Sequence, residues 1–517
     1  MEGTDRVDLT TWKKLRDESQ RGPLPTLETR ESDPSPDLEF AVSTDSVDEE
    51  LLKQLRQRSH RSSGQVVPAS GRTAPPRVEF PEQPVIEALD EWTTASSGDF
   101  QVEVDLEDLP ERTPLSPPGK SASKLPVVEL PEPELYPVVA IDFGTSYSSV
   151  AVLKDGAPVL LPRPTGSIPS MVGVREDGFT VVGEEAKVMR VADPATVIAS
   201  PKRLLGRRYN DRELEPYLAN LGMATSEGQG GEVWLHARGQ VYTVEQICAT
   251  VIYRLRQYAQ DYVGREVTEA VFTVPVSYGT ERVRALTRAA AIAGLRVLKV
   301  VEEPAAAALA YRDAVDLRGL IAVYDFGGGT FDFSVLDVDR GLTVVTTAGD
   351  TWLGGDDFDE ALAGAVANAF WRQSQIELRS RAVQWQRLLW AAESTKRTLS
   401  ISHEAQLSLN QVAYTREGSL NLDVTIARSQ FAVLVKELVR RSIETCEQAL
   451  ELSGIEPAEL TAVFMSGGTS LVPAVLDGVR EFFGQIPLIS VPPDQAVILG
   501  AGSYVNMLRK EREARGA

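Results

Sequence analysis

The 517-residue sequence has few of the residues that build disulfide frameworks and transition-metal sites: two cysteines and three histidines. Cys248 and Cys446 both stand in apolar helical patterns, so we expect reduced thiols in a core. The histidines are scattered along the chain, which argues against a histidine metal site. Disulfide-stapled and zinc-bound folds are therefore excluded.

Net positive charge and long apolar runs are also lacking. The formal net charge is −21, so the chain has no electrostatic footprint for nucleic acid or anionic lipid. No apolar run is long enough to span a bilayer, and the first residues do not form a signal pattern. We therefore expect a cytoplasmic protein with no nucleic-acid or membrane partner.

Residues 1–137 differ in composition from the rest, because they hold more than half of the prolines and most of the excess negative charge. Such a segment buries too little apolar surface to offset its ordering entropy, so we predict a disordered acidic tail. A solubilising linker is favoured over a partner-docking tail. The segment from Leu51 to His60 is the best candidate for a docking helix.

Two stretches of the remaining chain share one pattern: an apolar strand, Asp-Phe-Gly, a turn of small and hydroxyl residues, and a second strand. They cover residues 138–153 and 320–338. The backbone N–H groups of such glycine turns suit phosphate, and the flanking carboxylates of Asp325 and Asp332 suit a hydrated cation. A duplicated motif predicts two similar lobes that face each other, with one phosphate loop from each gripping the same nucleotide.

The rest of the folded part alternates strands with helices, which favours a layered α/β architecture. Further glycine turns precede helices near residues 349–359 and 467–469. We place the first lobe at residues 138–315, the second at 316–507 and a charged C-terminal tail at 508–517.

Six motifs occur in an order that matches a known family: Ile141-Asp142-Phe143-Gly144-Thr145-Ser146, Pro201-Lys202-Arg203-Leu204-Leu205-Gly206-Arg207, Asp325-Phe326-Gly327-Gly328-Gly329-Thr330-Phe331-Asp332, Gly349 to Asp359, Lys396-Arg397-Thr398-Leu399-Ser400 and Ser466-Gly467-Gly468-Thr469. Over roughly residues 138–507 the chain resembles the ATPase domain of the seventy-kilodalton heat-shock chaperones. The resemblance implies the duplicated actin-like (ribonuclease H-like) ATPase fold, with two lobes around a nucleotide cleft. No Gly-x-x-x-x-Gly-Lys-Ser/Thr sequence is present, so a P-loop NTPase is excluded.

The resemblance also implies roles for individual residues. The two phosphate loops for ATP or ADP would be formed by Gly144, Thr145, Ser146, Gly327, Gly328, Gly329 and Thr330. The adenosine pocket would be formed by Glu393, Lys396, Arg397, Ser400, Gly467, Gly468 and Asp494. Further nucleotide-binding positions are Tyr147, Gly354, Gly355 and Thr469. The catalytic positions are Lys202, Glu303, Thr330 and Asp332. Asp142 and Asp325 match Mg²⁺ ligands that act through water, and a monovalent cation, K⁺, would lie near Asp325 and Asp332.

Ordinary structural interpretations of the same residues stay open. Lys202 could be a surface lysine beside Arg203, and Glu303 could be an acid at a helix N-terminus. The polar stripe from Glu393 to Ser400 could be a solvated helix face.

Three departures from the family pattern affect the expected cycle. Leu471 stands where the family usually has a second arginine against the adenine. Ser277 and Val283 replace the aromatic residue and the arginine of a relay that begins at the matching proline, Pro275. No acidic-leucine linker or substrate-binding domain follows Met507. The sequence therefore predicts an ATPase domain without the family's hold-and-release cycle.

The function favoured by these features is a slowly ATP-hydrolysing, chaperone-type protein whose lobe motion regulates a protein client or regulatory partner. A co-chaperone or exchange factor is a second class of expected partner. A nucleotide-dependent scaffold with little turnover and an actin-like filament protein are the alternatives, and a sugar kinase is disfavoured because no catalytic-base motif is visible.

Overall fold

The computed structural model describes residues 137–162, 166–312, 315, 317–416 and 418–516. The disordered tail predicted over residues 1–137 lies outside the described residues apart from Pro137. The docking helix predicted from Leu51 to His60 lies outside them entirely. All structural statements below concern the described part.

Strands and helices alternate through the described part. The strands are β1 (Val138–Asp142), β2 (Tyr147–Lys154), β3 (Ala157–Leu160), β4 (Ser167–Pro169), β5 (Met171–Val174), β6 (Thr180–Val182), β7 (Val197–Ala199), β8 (Ala224–Glu227), β9 (Val233–Ala237), β10 (Gln240–Thr243), β11 (Glu269–Val274), β12 (Arg296–Glu302), β13 (Leu320–Phe326), β14 (Phe331–Asp337), β15 (Thr343–Asp350), β16 (Glu404–Thr415), β17 (Gly418–Ala427) and β18 (Leu460–Ser466). The helices are α1 (Glu184–Ala192), α2 (Glu215–Asn220), α3 (Val244–Val263), α4 (Thr280–Ile292), α5 (Glu303–Arg312), α6 (Gly355–Ser374), α7 (Ala382–Ile401), α8 (Arg428–Ser453), α9 (Pro473–Phe483) and α10 (Ala496–Gly516).

Two sheets repeat one topology. In the first, β1 pairs antiparallel with β2 and parallel with β11, in the order β12-β11-β1-β2-β3. In the second, β13 pairs antiparallel with β14 and parallel with β18, in the order β15-β14-β13-β18. The repeat confirms the duplicated architecture that the two Asp-Phe-Gly motifs predict.

The two motif hairpins form because apolar side chains along each strand have a core to enter. In the second lobe Tyr324, Phe326, Phe331 and Phe358 are fully buried, and the Phe326 and Phe358 rings meet edge to face with centroids 5.5 Å apart. Edge-to-face contacts of this kind favour one ring arrangement over others. The strand ends, and hence both glycine turns, are fixed by this packing.

Helices α5 and α10 pack against each other and share a third core with strands from both sheets. A Cβ atom at Gly500 of α10 would lie 1.6 Å from the carbonyl oxygen of Ala306 in α5. Only glycine permits so close a helix crossing. The crossing joins the two lobes through this shared core.

The predicted charged tail at residues 508–517 requires a correction, because helix α10 continues through Gly516. Its charges lie on the solvent side, where Arg509 pairs with Glu513 and Arg512 pairs with Glu269 of β11. Apolar residues of the same helix, Val505 and Leu508, pack into the shared core. The last turns are therefore part of the fold, and α10 packs on strands of the first sheet.

Smaller elements complete each lobe: the sheets β6-β5-β7 and β10-β9-β8 with α1 and α2 in the first, and the β16-β17 hairpin with α7 in the second. Cys248 and Cys446 are both free and buried, as predicted. Among the described residues, no helix combines the length and the apolar character needed to cross a membrane.

Candidate functional site

The two glycine turns face each other between the lobes. The first follows β1 and the second follows β13, where the Gly327 N–H donates to the Thr330 carbonyl at 3.0 Å. A Cβ atom on Gly328 would lie 2.5 Å from Cβ of Ser146, and one on Gly329 would lie 2.6 Å from Cγ2 of Thr145. The sequence therefore needs glycine here so that two backbone segments can approach closely.

A third glycine turn closes over the second loop at the start of helix α6. The Gly355 N–H donates to the Gly327 carbonyl at 3.1 Å, and the Asp356 N–H donates to the Gly328 carbonyl at 2.7 Å. From the turn after β18, the Thr469 hydroxyl also donates to the Gly327 carbonyl, at 2.8 Å. The structure thus brings the predicted loop positions from three segments into one place.

Gly467, Gly468 and Asp494 lie at the edge of this cluster. Gly467 has a left-handed φ of 79°, and its N–H donates to the carbonyl of Pro493 at 2.9 Å. A Cβ on Gly468 would lie 3.9 Å from Cβ of Asp494. These three positions come together as the sequence predicts.

Three aspartates form an acidic floor beneath the loops. Asp325 of β13 stands opposite Asp332 of β14 in the ladder. Asp142, at the end of β1, accepts a hydrogen bond from the Thr273 hydroxyl of β11 at 2.8 Å. Burial, with the charge of Glu303 adding to it, raises the pKa of Asp142 to about 6 and that of Asp332 to about 7. The same two causes raise the pKa of Asp325 well above its usual range.

Lys202 and Glu303 meet at the centre of the site. Lys202 lies in the short turn Pro201–Arg203 and Glu303 begins α5, and Nζ lies 2.9 Å from Oε1. Their side chains are 5% and 13% exposed, which rules out the interpretation of Lys202 as a surface lysine. Burial alone would lower the pKa of Lys202, but the charges of Glu303, Tyr278 and Asp142 together raise it. The lysine therefore stays protonated.

The donor chemistry of this floor fits a hydrated divalent cation. Four carboxylates, those of Glu303 and of the three aspartates of the floor, lie around the single ammonium group of Lys202. The floor therefore carries excess negative charge when the acids ionise. Among the described residues, no group of three or more His, Cys, Asp or Glu side chains is close enough to hold a metal ion directly. A cation that keeps its water ligands, as Mg²⁺ does, matches both observations.

Helix α7 carries the predicted adenosine stripe, and its members differ in their contacts. Glu393 accepts a hydrogen bond from the Tyr147 hydroxyl at 2.8 Å and pairs with Arg397, Oε1 to Nη2, at 2.9 Å. Lys396 donates to the Gly355 carbonyl at 2.8 Å and to Asp359 Oδ2 at 2.9 Å. Ser400 donates only to the Lys396 carbonyl of its own helix, at 3.2 Å. The first three members of the stripe therefore make structural contacts within the cleft.

The guanidinium of Arg397 lies 5.0 Å from the centre of the Tyr147 ring, and its side chain is half exposed. Leu471, which replaces the family's second arginine, is also partly exposed. The predicted adenine face therefore has one flat cation and one apolar side chain available.

The sequence did not predict three sets of polar contacts that join the lobes. Lys187 of α1 pairs with Glu393 at 2.5 Å, and the Ser146 hydroxyl donates to Asp356 Oδ2 at 3.2 Å. Arg203 donates to the carbonyls of Thr351 and Gly329, each at 2.5 Å. Arg203 belongs to a quoted motif, but no local pattern could have indicated Lys187.

The residues next to the two changed relay positions, Ser277 and Val283, contact each other. Tyr278, directly after Ser277, is buried, and the Arg282 guanidinium, directly before Val283, lies 4.0 Å from the centre of its ring. Arg282 Nη2 also lies 3.5 Å from the carbonyl oxygen of Lys202. An aromatic–arginine pair therefore stands beside the central lysine, although at shifted positions.

Two duplicated sheets, a cleft with facing glycine loops and an acidic floor define the class of this protein: the duplicated actin-like ATPase fold. The sequence matches the family described as Hsp70 protein over residues 138–516. Since the match covers well over half of the sequence, the chain belongs to the Hsp70 family. Proteins of this family are ATP-binding, chaperone-type ATPases that bind ATP or ADP with Mg²⁺ and interact with client proteins and co-chaperones.

The family assignment confirms the resemblance drawn from the six motifs and the fold that it implies. The roles of individual site residues stay predictions. What the structure adds is their arrangement, since every predicted position except Ser400 contributes a contact or a close backbone approach in this one region.

Proposed function

We propose that the chain binds ATP between its two lobes and hydrolyses it slowly with Mg²⁺. The observation that carries this proposal is the buried Lys202–Glu303 pair beside two facing glycine loops. Backbone N–H groups of the loops would bind the β- and γ-phosphates, and the ammonium group of Lys202 would lie against the γ-phosphate and the attacking water. Glu303, held by Lys202, would accept a hydrogen bond from that water and orient it.

Asp142 and Asp325 would hold Mg²⁺ through its water ligands, and K⁺ would lie near Asp325 and Asp332. The divalent ion supplies charge neutralisation for the phosphates. Hydrolysis then requires positioning and electrostatic stabilisation with no covalent intermediate, because phosphoryl transfer leaves little covalent work to the protein.

We also propose that nucleotide controls the relative position of the lobes and thereby regulates a protein client or partner. The contacts Lys187–Glu393 and Ser146–Asp356 support this part, because each joins a residue of the first lobe to one of the second. A ligand that contacts both loops would bind more tightly when the lobes are close together than when they are apart, and would therefore favour the closed arrangement. A co-chaperone or exchange factor would act on the same equilibrium.

Titration of the full chain with ATP, followed by calorimetry and by small-angle X-ray scattering, tests both parts together. We expect one ATP per chain, at least about tenfold weaker binding when EDTA removes Mg²⁺, and a more compact scattering profile in the bound state. Absence of binding contradicts the first part. Binding without a change in the profile contradicts the regulation by lobe position and supports a static scaffold.

A further inference from the structure

A pocket that is open to solvent adjoins the central lysine. This cavity extends from Thr145, Lys202 and Thr330 to the start of helix α4 and to the loop that carries Trp352. One end therefore coincides with the proposed γ-phosphate position, whereas the other end lies outside it.

The lining of the cavity is strongly cationic. The lining residues include four cations, Lys202, Arg203, Arg207 and Arg282, and one carboxylate, Asp332. Two of these cations are paired outside the lining, Lys202 with Glu303 and Arg207 with Glu213. An anion is the ligand that this charge distribution favours.

Arg282 is the cation whose charge is least compensated. Its Nε atom is buried without a hydrogen-bond partner, and no described carboxylate forms an ion pair with it. Its other contacts include the Tyr278 ring at 4.0 Å and the Lys202 carbonyl at 3.5 Å, and the charge of Asp332 also acts on it. A buried donor without a hydrogen-bond partner is costly, which indicates a site completed by an added acceptor such as an anion.

The neighbouring arginines have partners of their own. Arg207 pairs with Glu213 at 2.7 Å, and Arg203 donates to two carbonyl groups while its guanidinium lies 4.8 Å from the Trp352 ring. A Cβ atom on Gly206 would lie 2.7 Å from Cα of Arg282, so the turn after Lys202 packs directly on the start of α4. The geometry of the cationic end is therefore fixed by backbone packing.

We propose that this outer end, formed by Arg207 and Arg282, is a second anion site that takes the orthophosphate released by hydrolysis. The inference rests on the proposed function for the source of the phosphate. Orthophosphate formed beside Lys202 would move along the cavity toward Arg282, away from the two glycine loops. It can therefore leave Lys202 while ADP stays between the loops.

Equilibrium dialysis with radiolabelled inorganic phosphate tests the site on the full chain saturated with a non-hydrolysable ATP analogue. The analogue fills the γ-phosphate position, so only the outer site remains. We expect one phosphate per chain in the wild type, at least about tenfold weaker binding in Arg282→Gln and Arg207→Gln, and partial recovery in Arg282→Lys. Arg288→Gln, an exposed arginine on the same helix, is the matched control and should bind like the wild type.

No phosphate bound beside the analogue, or equal binding by all variants with unchanged melting curves, overturns the proposal. If the analogue itself fails to bind, the proposed function fails separately. Phosphate binding to the nucleotide-free chain then tests the site by the same comparison of variants. The lag between ATP cleavage and free phosphate, followed with a fluorescent phosphate sensor, should shorten in Arg282→Gln, and an unchanged lag contradicts the exit role.

Discussion

Glu393 of the second lobe contacts Lys187 and Tyr147 of the first. Burial alone would raise its pKa, but the charges of Lys187 and Arg397 and hydrogen bonds from Lys187 and Tyr147 lower it to about 2. Because this folded-state pKa lies below the ordinary value of 4.5, ionised Glu393 stabilises the fold above pH 4.5. That stabilisation is lost as the pH falls toward 2.

Replacing Glu393 with Gln should lower the melting temperature at pH 7, since Lys187 is left nearly buried without its counter-ion. The expected loss is about 2 kcal/mol. The difference between variant and wild type should narrow as the pH is lowered from about 5 toward 2, because Glu393 takes up a proton near pH 4.5 in the unfolded chain and only near pH 2 in the folded one. Glu437→Gln, which removes an exposed partner of Arg440, is the control. Scanning calorimetry over this pH range measures the difference in melting temperature between Glu393→Gln and the wild type. A difference that does not change with pH would contradict the lowered pKa of Glu393.

Single residues also show what the sequence could and could not predict. The phosphate-loop glycines were predictable because each stands in a continuous motif between two strands. The Lys187–Glu393 pair was not, because the two residues are 206 positions apart and no periodicity links them. The Tyr278–Arg282 pair was missed because position-by-position comparison shows only that Ser277 and Val283 are changed. It cannot show that neighbouring side chains enter the same space.

At the level of elements, hairpins and amphipathic helices followed from local pattern, whereas the crossing of α5 and α10 did not. Their contact depends on Gly500 and Ala306, which look unremarkable in the sequence. The charged last turns of α10 resemble a solvated tail, and only the packing of Val505 and Leu508 shows that they belong to the fold.

Gly500→Ala should destabilise the chain by about 2 kcal/mol, because the added methyl group forces two packed helices apart. Replacing glycine with alanine in a helix interior ordinarily stabilises a protein by up to about 1 kcal/mol. The change in stability expected for Gly500→Ala therefore has the opposite sign to the change expected from helix propensity. Gly364→Ala in α6 is the matched control, since its Cβ would meet only Arg379 Nη2 at 3.5 Å. Thermal melting of both variants checks this, and a Gly500→Ala chain as stable as the wild type would contradict the close crossing.

At the level of the whole molecule, most of the predicted architecture followed from the duplicated motif. Two copies of one hairpin predicted two similar lobes, and the matching strand orders of the two sheets confirm it. The sequence predicted that the lobes face each other, but not how they are joined, because the junction depends on α10 crossing from the second half of the chain to the first sheet. The cytoplasmic location, the tail and the identity of any client stay predictions.

Single-turnover ATP hydrolysis by the full chain tests the central claim most directly, with Lys202→Ala beside Lys436→Ala. Lys436 is an exposed lysine of α8 and serves as the control. We predict cleavage by the wild type and by Lys436→Ala, and at least about a 100-fold slower cleavage by Lys202→Ala, since one preorganised donor to the transition state is removed. ATP binding by Lys202→Ala should persist. Equal cleavage by Lys202→Ala, or no cleavage by the wild type, would contradict the account.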